Sequence, residues 1–334
     1  MKTMKTSIFF GLLAILTFVL TIPALRAGID DTIRKSYDVR PGGWLKIESE
    51  RGSIEVSTSG SNKVDIEVIR DVDTFSDDEA REILDNFEIE FRQSGNDILI
   101  QAKFLKKYTS FWDQIRNRLK IKFIVTVPKK FNVDLLTAGG SISVDDLEGE
   151  VKSHTSGGSL HFGNIIGPVY GKTSGGSITL EGCEGNAEVR TSGGSITIGN
   201  VNGDVLARTS GGSIKIQEAQ GTVDAVTSGG SIKVQEVMGT INATTSGGSI
   251  TASITRQPAS DCALKTSGGG ITLNMAEGIS ANLDAKTSGG RVTTEFPVTV
   301  QGELKKNEIR AKINGGGPNL YLRTSGGNIK LFKY

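Results

Sequence analysis

A four-residue motif, Thr-Ser-Gly-Gly, recurs at a fixed interval through the C-terminal part of this chain. A Thr-Ala-Gly-Gly variant begins at Thr137, and the spacing is then 18 residues at every step as far as Thr245. The interval lengthens to 21 residues twice and ends with a gap of 37 residues before Thr324. A fixed period of this length is typical of proteins that are built from stacked structural repeats.

Apolar and polar residues alternate within each repeat. In the repeat that begins at Thr191, Ile196 and Ile198 alternate with polar residues, and Val205 and Ala207 do the same after a turn. A period of two is the pattern of strands with one buried face. One coil cannot bury these side chains alone, whereas stacked coils bury them against identical neighbours. The chain is therefore predicted to form an all-β fold, a parallel β-helix with two-strand coils and a flattened cross-section, right-handed by the usual crossover preference.

The motif itself is predicted to form the corners of the coils. Paired glycines permit the positive φ of a tight corner, and the threonine is in register with the buried positions. Its hydroxyl can join a ladder of threonines or bind the corner backbone. A phosphate-binding loop would need a following Gly-Lys-[Ser/Thr], and nine equivalent serines cannot all be catalytic. The corner residues of the first four Thr-Ser-Gly-Gly copies are Thr155, Gly157, Gly158, Thr173, Gly175, Gly176, Thr191, Gly193, Gly194, Thr209, Gly211 and Gly212.

The two cysteines can be placed on the repeat. Cys183 and Cys262 fall in buried columns of coils that are four apart, which separates them by about 19 Å at ~4.8 Å per coil. A disulfide needs Cα atoms within about 7 Å of each other. We therefore expect no disulfide between Cys183 and Cys262, and both are predicted to be free, buried, apolar residues.

The repeat does not carry the signatures of a metal site or an active site. Calcium-binding β-rolls carry Gly-Gly-x-Gly-x-Asp, whereas the run here is Gly-Gly-Ser-Ile. His154 and His161 are predicted to face outward on opposite sheets, and zinc needs converging ligands. Carbohydrate-cleaving β-helices need clustered charged residues in a groove built on long loops, and these coils are short. We predict no cofactor, no metal and no enzyme activity.

One outward column is mostly basic. It stands immediately before the motif threonine, begins with His154 and ends with Arg323. Such a column could bind an extended anionic polymer, or it could be a solvated face that discourages edge pairing and aggregation. The residues of this predicted basic stripe are Lys172, Arg190, Arg208, Lys265 and Lys286.

The N-terminus has the features of an export signal. Lys2 and Lys5 precede an uncharged apolar run over residues 8–22, and a small residue, Ala27, offers a cleavage point. Fifteen residues fall short of the ~20 that span a bilayer, although an uncleaved anchor is the alternative. Residues 1–27 are predicted to be a signal peptide, which implies export to the periplasm, the outer surface or the medium, with no transmembrane segment in the mature chain.

Residues 28–136 lack the repeat and are predicted to form a β-rich N-terminal cap with one or two short helices. A capping box at Ser76 begins the first helix, residues 87–100 are predicted to form a hairpin, and Phe111 and Ile115 suggest the second helix. Residues 65–90 hold 11 acidic and 2 basic residues, whereas residues 103–130 hold 9 basic and 1 acidic. The two stretches could neutralise each other, or the basic one could bind lipid headgroups or anionic glycan. Residues 137–334 are predicted to form the repeat domain, with a C-terminal cap near 309–334.

The chain resembles the bacterial "putative adhesin" family, exported proteins with a β-strand-repeat domain of unknown function. The resemblance is carried by the Pro-Gly-Gly-Trp-Leu-Lys-Ile opening at Pro41, the Ile-Val-Thr-Val-Pro segment at 124–128 and the serial Thr-Ser-Gly-Gly-Ser-Ile units. It implies a β-helical fold in the cell envelope and an adhesive role without catalytic residues.

The function predicted from these features is a non-catalytic envelope or cell-surface protein, an adhesin or scaffold. Polysaccharide or an envelope protein is the expected partner. Nucleic acid is not, since 38 basic and 37 acidic residues nearly cancel. The alternatives are a polymer-forming scaffold similar to bactofilins, and a carbohydrate-binding or carbohydrate-active β-helix protein.

Overall fold

The computed structural model describes residues 29–74, 76–105, 118–301 and 305–334. The predicted signal peptide lies outside these ranges, as do Phe111 and Ile115 of the second predicted helix. The described residues are mostly β-structure and contain a single helix, α1 (Asp77–Asp85).

The described residues form 30 strands, which divide equally between two sheets. Sheet A contains, in spatial order, β1 (Ile29–Asp38), β4 (Lys63–Val72), β7 (Leu119–Pro128), β3 (Ser53–Ser59), β9 (Ile142–Val144), β12 (Leu160–Ile166), β14 (Ile178–Cys183), β16 (Ile196–Val201), β18 (Ile214–Ala219), β20 (Ile232–Val237), β22 (Ile250–Ile254), β24 (Ile271–Met275), β30 (Ile329–Lys333) and β26 (Val292–Thr294), with β10 (Leu147–Glu148) beside β12. Sheet B contains, in the same direction, β5 (Phe87–Ser94), β6 (Asp97–Phe104), β2 (Trp44–Ser49), β8 (Asn132–Thr137), β11 (Val151–Thr155), β13 (Val169–Thr173), β15 (Ala187–Arg190), β17 (Val205–Arg208), β19 (Val223–Val226), β21 (Ile241–Thr244), β23 (Cys262–Lys265), β29 (Asn319–Thr324), β25 (Ala281–Thr287), β28 (Glu308–Ile313) and β27 (Val298–Val300).

The strands of successive repeats pair in parallel with an offset of one coil. Ile178 lies opposite Ile196, and Ile196 lies opposite Ile214, so each apolar column continues from coil to coil. These isoleucines are at most 1% exposed and belong to one continuous hydrophobic core between the two sheets. The predicted parallel β-helix of two-strand, 18-residue coils is confirmed, while its right-handedness stays a prediction.

The threonine of the motif links each corner to the corner of the preceding coil. The Thr155 hydroxyl donates to the carbonyl of Gly140 at 2.8 Å and accepts a weaker bond from the N–H of Gly158 at 3.4 Å. The same pair of bonds recurs at each motif threonine as far as Thr245. The hydroxyl thus binds the corner backbone and forms no ladder of threonines.

The second glycine of the motif is required for a reason that the sequence does not indicate. Among them only Gly140 has φ in the left-handed range, at 125°, so the expected positive φ is wrong for the other copies. A Cβ added to the second glycine would instead clash with the backbone of the preceding coil. At Gly158 it would lie 2.0 Å from the carbonyl oxygen of Gly140, and at Gly212 it would lie 2.2 Å from the carbonyl oxygen of Gly194. Close backbone stacking therefore excludes a side chain here.

The N-terminal residues extend the same two sheets. Strand β2 pairs in parallel with β8, and β3 pairs in parallel with β9, so together they form one further coil. The predicted hairpin is present as the antiparallel pair β5 and β6, and Ser76 caps α1 by accepting from the N–H of Glu79. The predicted boundary at residue 137 stays a prediction, since both sheets continue across it.

Ion pairs join the acidic and basic stretches of this N-terminal part. Antiparallel pairing of the acidic β4 with the basic β7 brings much of the opposite charge together. These contacts favour mutual neutralisation over a basic patch. The pairs are Lys103 with Glu88, Arg118 with Glu79 and Lys120 with Asp71.

The last coil of the chain is not the last coil of the stack. Strand β29 lies between β23 and β25, and β30 lies between β24 and β26. The coil marked by Thr324 is therefore inserted between the coils marked by Thr266 and Thr287. The end of the stack is formed by β26, β27 and β28, with β28 antiparallel to β25 and β27 antiparallel to β28. Of the predicted cap near 309–334, β28 lies at this end, and β29 and β30 lie one coil inside it.

Candidate functional site

The predicted basic stripe forms a column on the outer face of sheet B. Lys172 lies opposite Arg190, which lies opposite Arg208, and His154 extends the column on the other side of Lys172. The next two residues of the column are Val226 and Thr244, which interrupt the positive charge.

The inserted last coil changes the order of the second half of the stripe. Lys265 lies opposite Arg323, and Arg323 lies opposite Lys286, although Arg323 comes last in the sequence. The structure thus assembles two short basic segments, separated by Val226 and Thr244, rather than one continuous ladder.

Neighbouring carboxylates pair with most of these cations. Lys172 and Lys265 form no ion pair with any described residue, whereas the other four do. The stripe stays a prediction, and the ion pairs reduce the positive field that it would present to an anion. The pairs are Arg190 with Glu188 at 2.9 Å, Arg208 with Asp224 at 3.0 Å, Lys286 with Glu308 at 3.2 Å and Arg323 with Asp284.

A groove runs along the N-terminal half of the same face. It consists of two shallow depressions of about 460 and 440 Å³, which share Asp134 and Lys152. We call this surface the sheet B groove. Its aromatic residues are Trp44, which is partly exposed, and Tyr170, which is 40% exposed. The side chains that line it and carry the argument below are Trp44, Lys46, Leu99, Asp134, Lys152, Tyr170 and Lys172.

Local sequence places these side chains on one rigid surface. Trp44 and Lys46 are outward positions of β2, and Lys152 and Tyr170 are outward positions of the paired strands β11 and β13. Strands β2, β8, β11 and β13 are adjacent, so three steps of ~4.8 Å separate the strands of Trp44 and Tyr170 by about 14 Å. The two rings are therefore held on backbone that is hydrogen-bonded on both sides.

Fixed ion pairs surround the rings. The Lys46 ammonium lies 2.8 Å from Glu48, the Lys152 ammonium lies 2.8 Å from Glu150, and Lys152 also lies 5.2 Å from the centroid of the Trp44 ring. The hydrogen bond with Glu48 raises the pKa of Lys46, and that with Glu150 raises the pKa of Lys152. Both lysines therefore stay charged near neutral pH, and the two ion pairs offer hydrogen-bond donors and acceptors with little net charge.

Only part of this groove can be recognised in the sequence. Trp44 belongs to the family signature, whereas Lys152 and Tyr170 belong to no motif. Both occupy outward strand positions, two residues before His154 and Lys172 of the basic column. A large aromatic residue at an outward strand position is the feature from which this part of the groove could be recognised. Their proximity to Trp44 could not be found, because it depends on the pairing of β2 with β8.

The histidines lie apart in the structure. His154 is on β11 of sheet B, and His161 is on β12 of sheet A, where its Nε2 lies 3.5 Å from a Glu181 carboxylate oxygen. Across the described ranges, no group of three or more His, Cys, Asp or Glu side chains could hold a metal ion. Nor does any helix within those ranges have the length and apolar character needed to cross a membrane.

Both cysteines are buried and free, as predicted. Burial raises the pKa of the Cys183 thiol to about 11 and also raises that of Cys262. The Cys183 thiol lies 3.0 Å from the carbonyl of Gly167. At pH 8 a thiol with such a pKa is ~0.1% thiolate, against roughly a quarter for an ordinary cysteine.

We expect neither thiol of the native protein to react with Ellman's reagent at pH 8 within an hour. After unfolding in urea, both should react within minutes and give two thiols per chain. Absorbance of the released thiolate provides the measurement. Fast reaction of one thiol in the native protein would show that its coil opens.

Two sheets of stacked, motif-marked coils around one core define this protein as a β-solenoid repeat protein. The sequence model of the family Toastrack DUF4097 matches residues 44–332. The chain therefore belongs to the Toastrack DUF4097 family, and the resemblance seen in the sequence is confirmed. No curated protein matches the chain.

Several solved structures are similar to this chain at low identity. A "putative adhesin" from Bacteroides fragilis is 14% identical, with 91% of this chain and 97% of that chain covered and a TM-score of 0.32. A "putative cell adhesion protein" from Clostridium sporogenes is 11% identical, with 91% and 100% covered and a TM-score of 0.26. A "putative lipid binding protein" from Parabacteroides distasonis is 13% identical, with 91% and 97% covered and a TM-score of 0.30. Superpositions this weak carry no information on the ligand of the present chain.

Proposed function

We propose that this protein is a non-catalytic binding protein of the bacterial cell envelope, an adhesin or scaffold, whose sheet B groove binds an extended polysaccharide. The observation that carries the proposal is the pair of aromatic side chains, Trp44 and Tyr170, on strands that lie about 14 Å apart in one rigid sheet face. Aromatic side chains on strands this far apart can contact different sugar units of one chain, and an extended chain fits a groove that crosses several strands.

The charge of the groove supports a neutral, hydroxyl-rich ligand. Its cations mostly face carboxylates, as Lys46 faces Glu48 and Lys152 faces Glu150, so little net field attracts an anionic polymer. Paired donors and acceptors suit hydroxyl groups, which both donate and accept hydrogen bonds. Aromatic rings provide apolar contact area at a low cost in conformational entropy.

The edge strands at the two ends of the solenoid favour a protein that does not polymerise end to end over one that forms filaments. The edge of sheet B at the N-terminal end is β5, which is antiparallel to β6 and exposes Glu88 and Arg92. At the other end the edge strands β26 and β27 are each three residues long. Charged or short edge strands hinder end-to-end pairing with another molecule.

The test is binding of purified residues 28–334 to soluble β-1,4-glucan, xylan and mannan oligosaccharides, with polygalacturonate as the anionic comparison. Replacing both Trp44 and Tyr170 by alanine should weaken binding of the neutral ligand about 30-fold, at roughly 1 kcal/mol per ring. Tyr321→Ala is the matched control, since Tyr321 is exposed on the same face at the far end. Calorimetry gives the affinities, and chromatography of the sugars shows whether any chain is cleaved.

Three results would refute the proposal. Equal affinities of the double variant and the Tyr321→Ala control would exclude the groove. Cleavage of a sugar chain would exclude a non-catalytic role. Recovery of the protein in the cytoplasm, in a cell fractionation with protease shaving, would exclude the envelope.

A further inference from the structure

The coil formed by β29 and β30 is held on both sides by coils that precede it in the chain. The Thr324 hydroxyl donates to the carbonyl of Gly269 at 2.6 Å on one side. On the other side, the Thr287 hydroxyl donates to the carbonyl of Gly327 at 2.7 Å. The inserted coil thus continues the corner bonding of the solenoid in both directions.

Removing this coil would leave a slot of one coil's width. Strand β25 has no direct pairing with β23, and β26 has none with β24, because β29 and β30 lie between them. Both walls of the slot carry the Thr-Ser-Gly-Gly corner, which fixes the register of any segment that enters. The slot is therefore a template for one coil that carries the same corner, and residues 319–334 are the segment that fills it.

A glycine-rich turn connects the coil to the rest of the chain. Residues 314–318 join β28 to β29 and pass over the end of β25, which lies between those two strands. Asn314, Gly315 and Gly316 all have φ in the left-handed range, at 50°, 86° and 93°. A turn of this kind can open into an extended linker and free the last coil as a unit.

We propose that the slot also accepts the β29–β30 coil of a second copy of this chain, which gives a dimer with exchanged C-terminal coils. The contacts of the segment are the same whether it comes from its own chain or from the partner, so exchange needs only an open turn. Each copy would donate one coil and receive one, and the backbone bonding of donated strands would be that of strand addition to a sheet.

The first experiment uses the full chain and a biotin-labelled peptide of residues 314–334. The two are incubated in urea below the unfolding midpoint, returned to buffer, and the captured protein is quantified on streptavidin. One control peptide carries Leu331→Asp, which puts a charge at an inward position that is 1% exposed. The matched control carries Lys330→Ser at the adjacent exposed position.

We expect the unmodified and Lys330→Ser peptides to capture at least ten times more protein than the Leu331→Asp peptide. A smaller ratio, or capture at background by all three, would overturn the proposal.

A second experiment changes the turn in the full chain. Valine at both Gly315 and Gly316 disfavours positive φ and therefore the closed turn. After a urea cycle with two differently tagged copies, this variant should give at least threefold more mixed dimer than the unmodified chain, measured by co-purification and light scattering. The matched control is Gly278→Val, since Gly278 has no neighbour within 4 Å and no left-handed φ. An equal yield of dimer from the turn variant and the control would overturn the proposal.

Discussion

Alanine at Gly158 should destabilise the solenoid by about 3 kcal/mol, whereas alanine at the adjacent Gly157 should change the free energy of unfolding by no more than about 1 kcal/mol. Both residues belong to the same corner. A Cβ at Gly158 would lie 2.0 Å from the carbonyl oxygen and 2.2 Å from the carbonyl carbon of Gly140, while a Cβ at Gly157 would have no neighbour within 4 Å. The contact at Gly158 involves backbone, so no side chain can move aside to relieve it.

The measurement is urea unfolding of purified residues 28–334 followed by circular dichroism. Gly212→Ala tests whether the effect is general, because its Cβ would lie 2.2 Å from the Gly194 carbonyl oxygen. Equal unfolding midpoints for Gly157→Ala and Gly158→Ala would show that the coils can separate at the corner. The role assigned to the second glycine would then be wrong.

Replacing Phe162 by alanine should lower the free energy of unfolding by about 3–5 kcal/mol, the usual range for truncation of a fully buried phenylalanine. Phe162 is 0% exposed and fills space that Gly171 leaves on the opposite strand. A Cβ on Gly171 would lie 3.0 Å from Cε2 of Phe162 and 3.3 Å from Cδ1 of Leu160. The ring is thus packed against a position where the other coils carry a larger residue, such as Val189 or Ala207.

This packing predicts that the effect of Gly171→Ala on the free energy of unfolding changes sign when Phe162 is replaced by alanine. Gly171→Ala alone should destabilise by about 1 kcal/mol, because the new methyl group crowds the ring. In the Phe162→Ala background the same change should stabilise by about 0.5–1 kcal/mol, because it fills part of the cavity. Phe123→Ala with Gly171→Ala is the control pair, since Phe123 is fully buried on β7, which is separated from β12 by β3 and β9. Additive effects in the Phe162 cycle would contradict the proposed coupling.

Much of the fold could be predicted because it follows from local pattern. The alternation of Ile196 and Ile198 with polar neighbours indicates which side chains point inward, and the spacing of the motif gives the length of a coil. The burial of Cys183 and Cys262 followed from the same register. The N-terminal hairpin and the start of α1 were also visible, since turn and capping residues act over a few positions.

The proposed binding surface is less accessible to sequence reasoning because it combines side chains from distant strands. The basic stripe appeared as a row of cations, but the sequence did not show that Arg208 would meet Asp224 on the next strand. The groove depends on Trp44 of β2, which is separated from Tyr170 by 126 residues and shares a face with it only through the successive pairing of β2, β8, β11 and β13.

The sequence by itself determined that this protein is a solenoid of two-strand coils, because the Thr-Ser-Gly-Gly spacing and the period of two act within each repeat. Only the tertiary structure decided the order of the last two coils. Every coil offers its neighbour the same corner, so nothing local specifies which coil follows the one at Thr266. The choice depends on how β27, β28 and the turn over residues 314–318 redirect the chain, and these are contacts between segments far apart in sequence. That choice places Arg323 between Lys265 and Lys286 and creates the slot that the last coil fills.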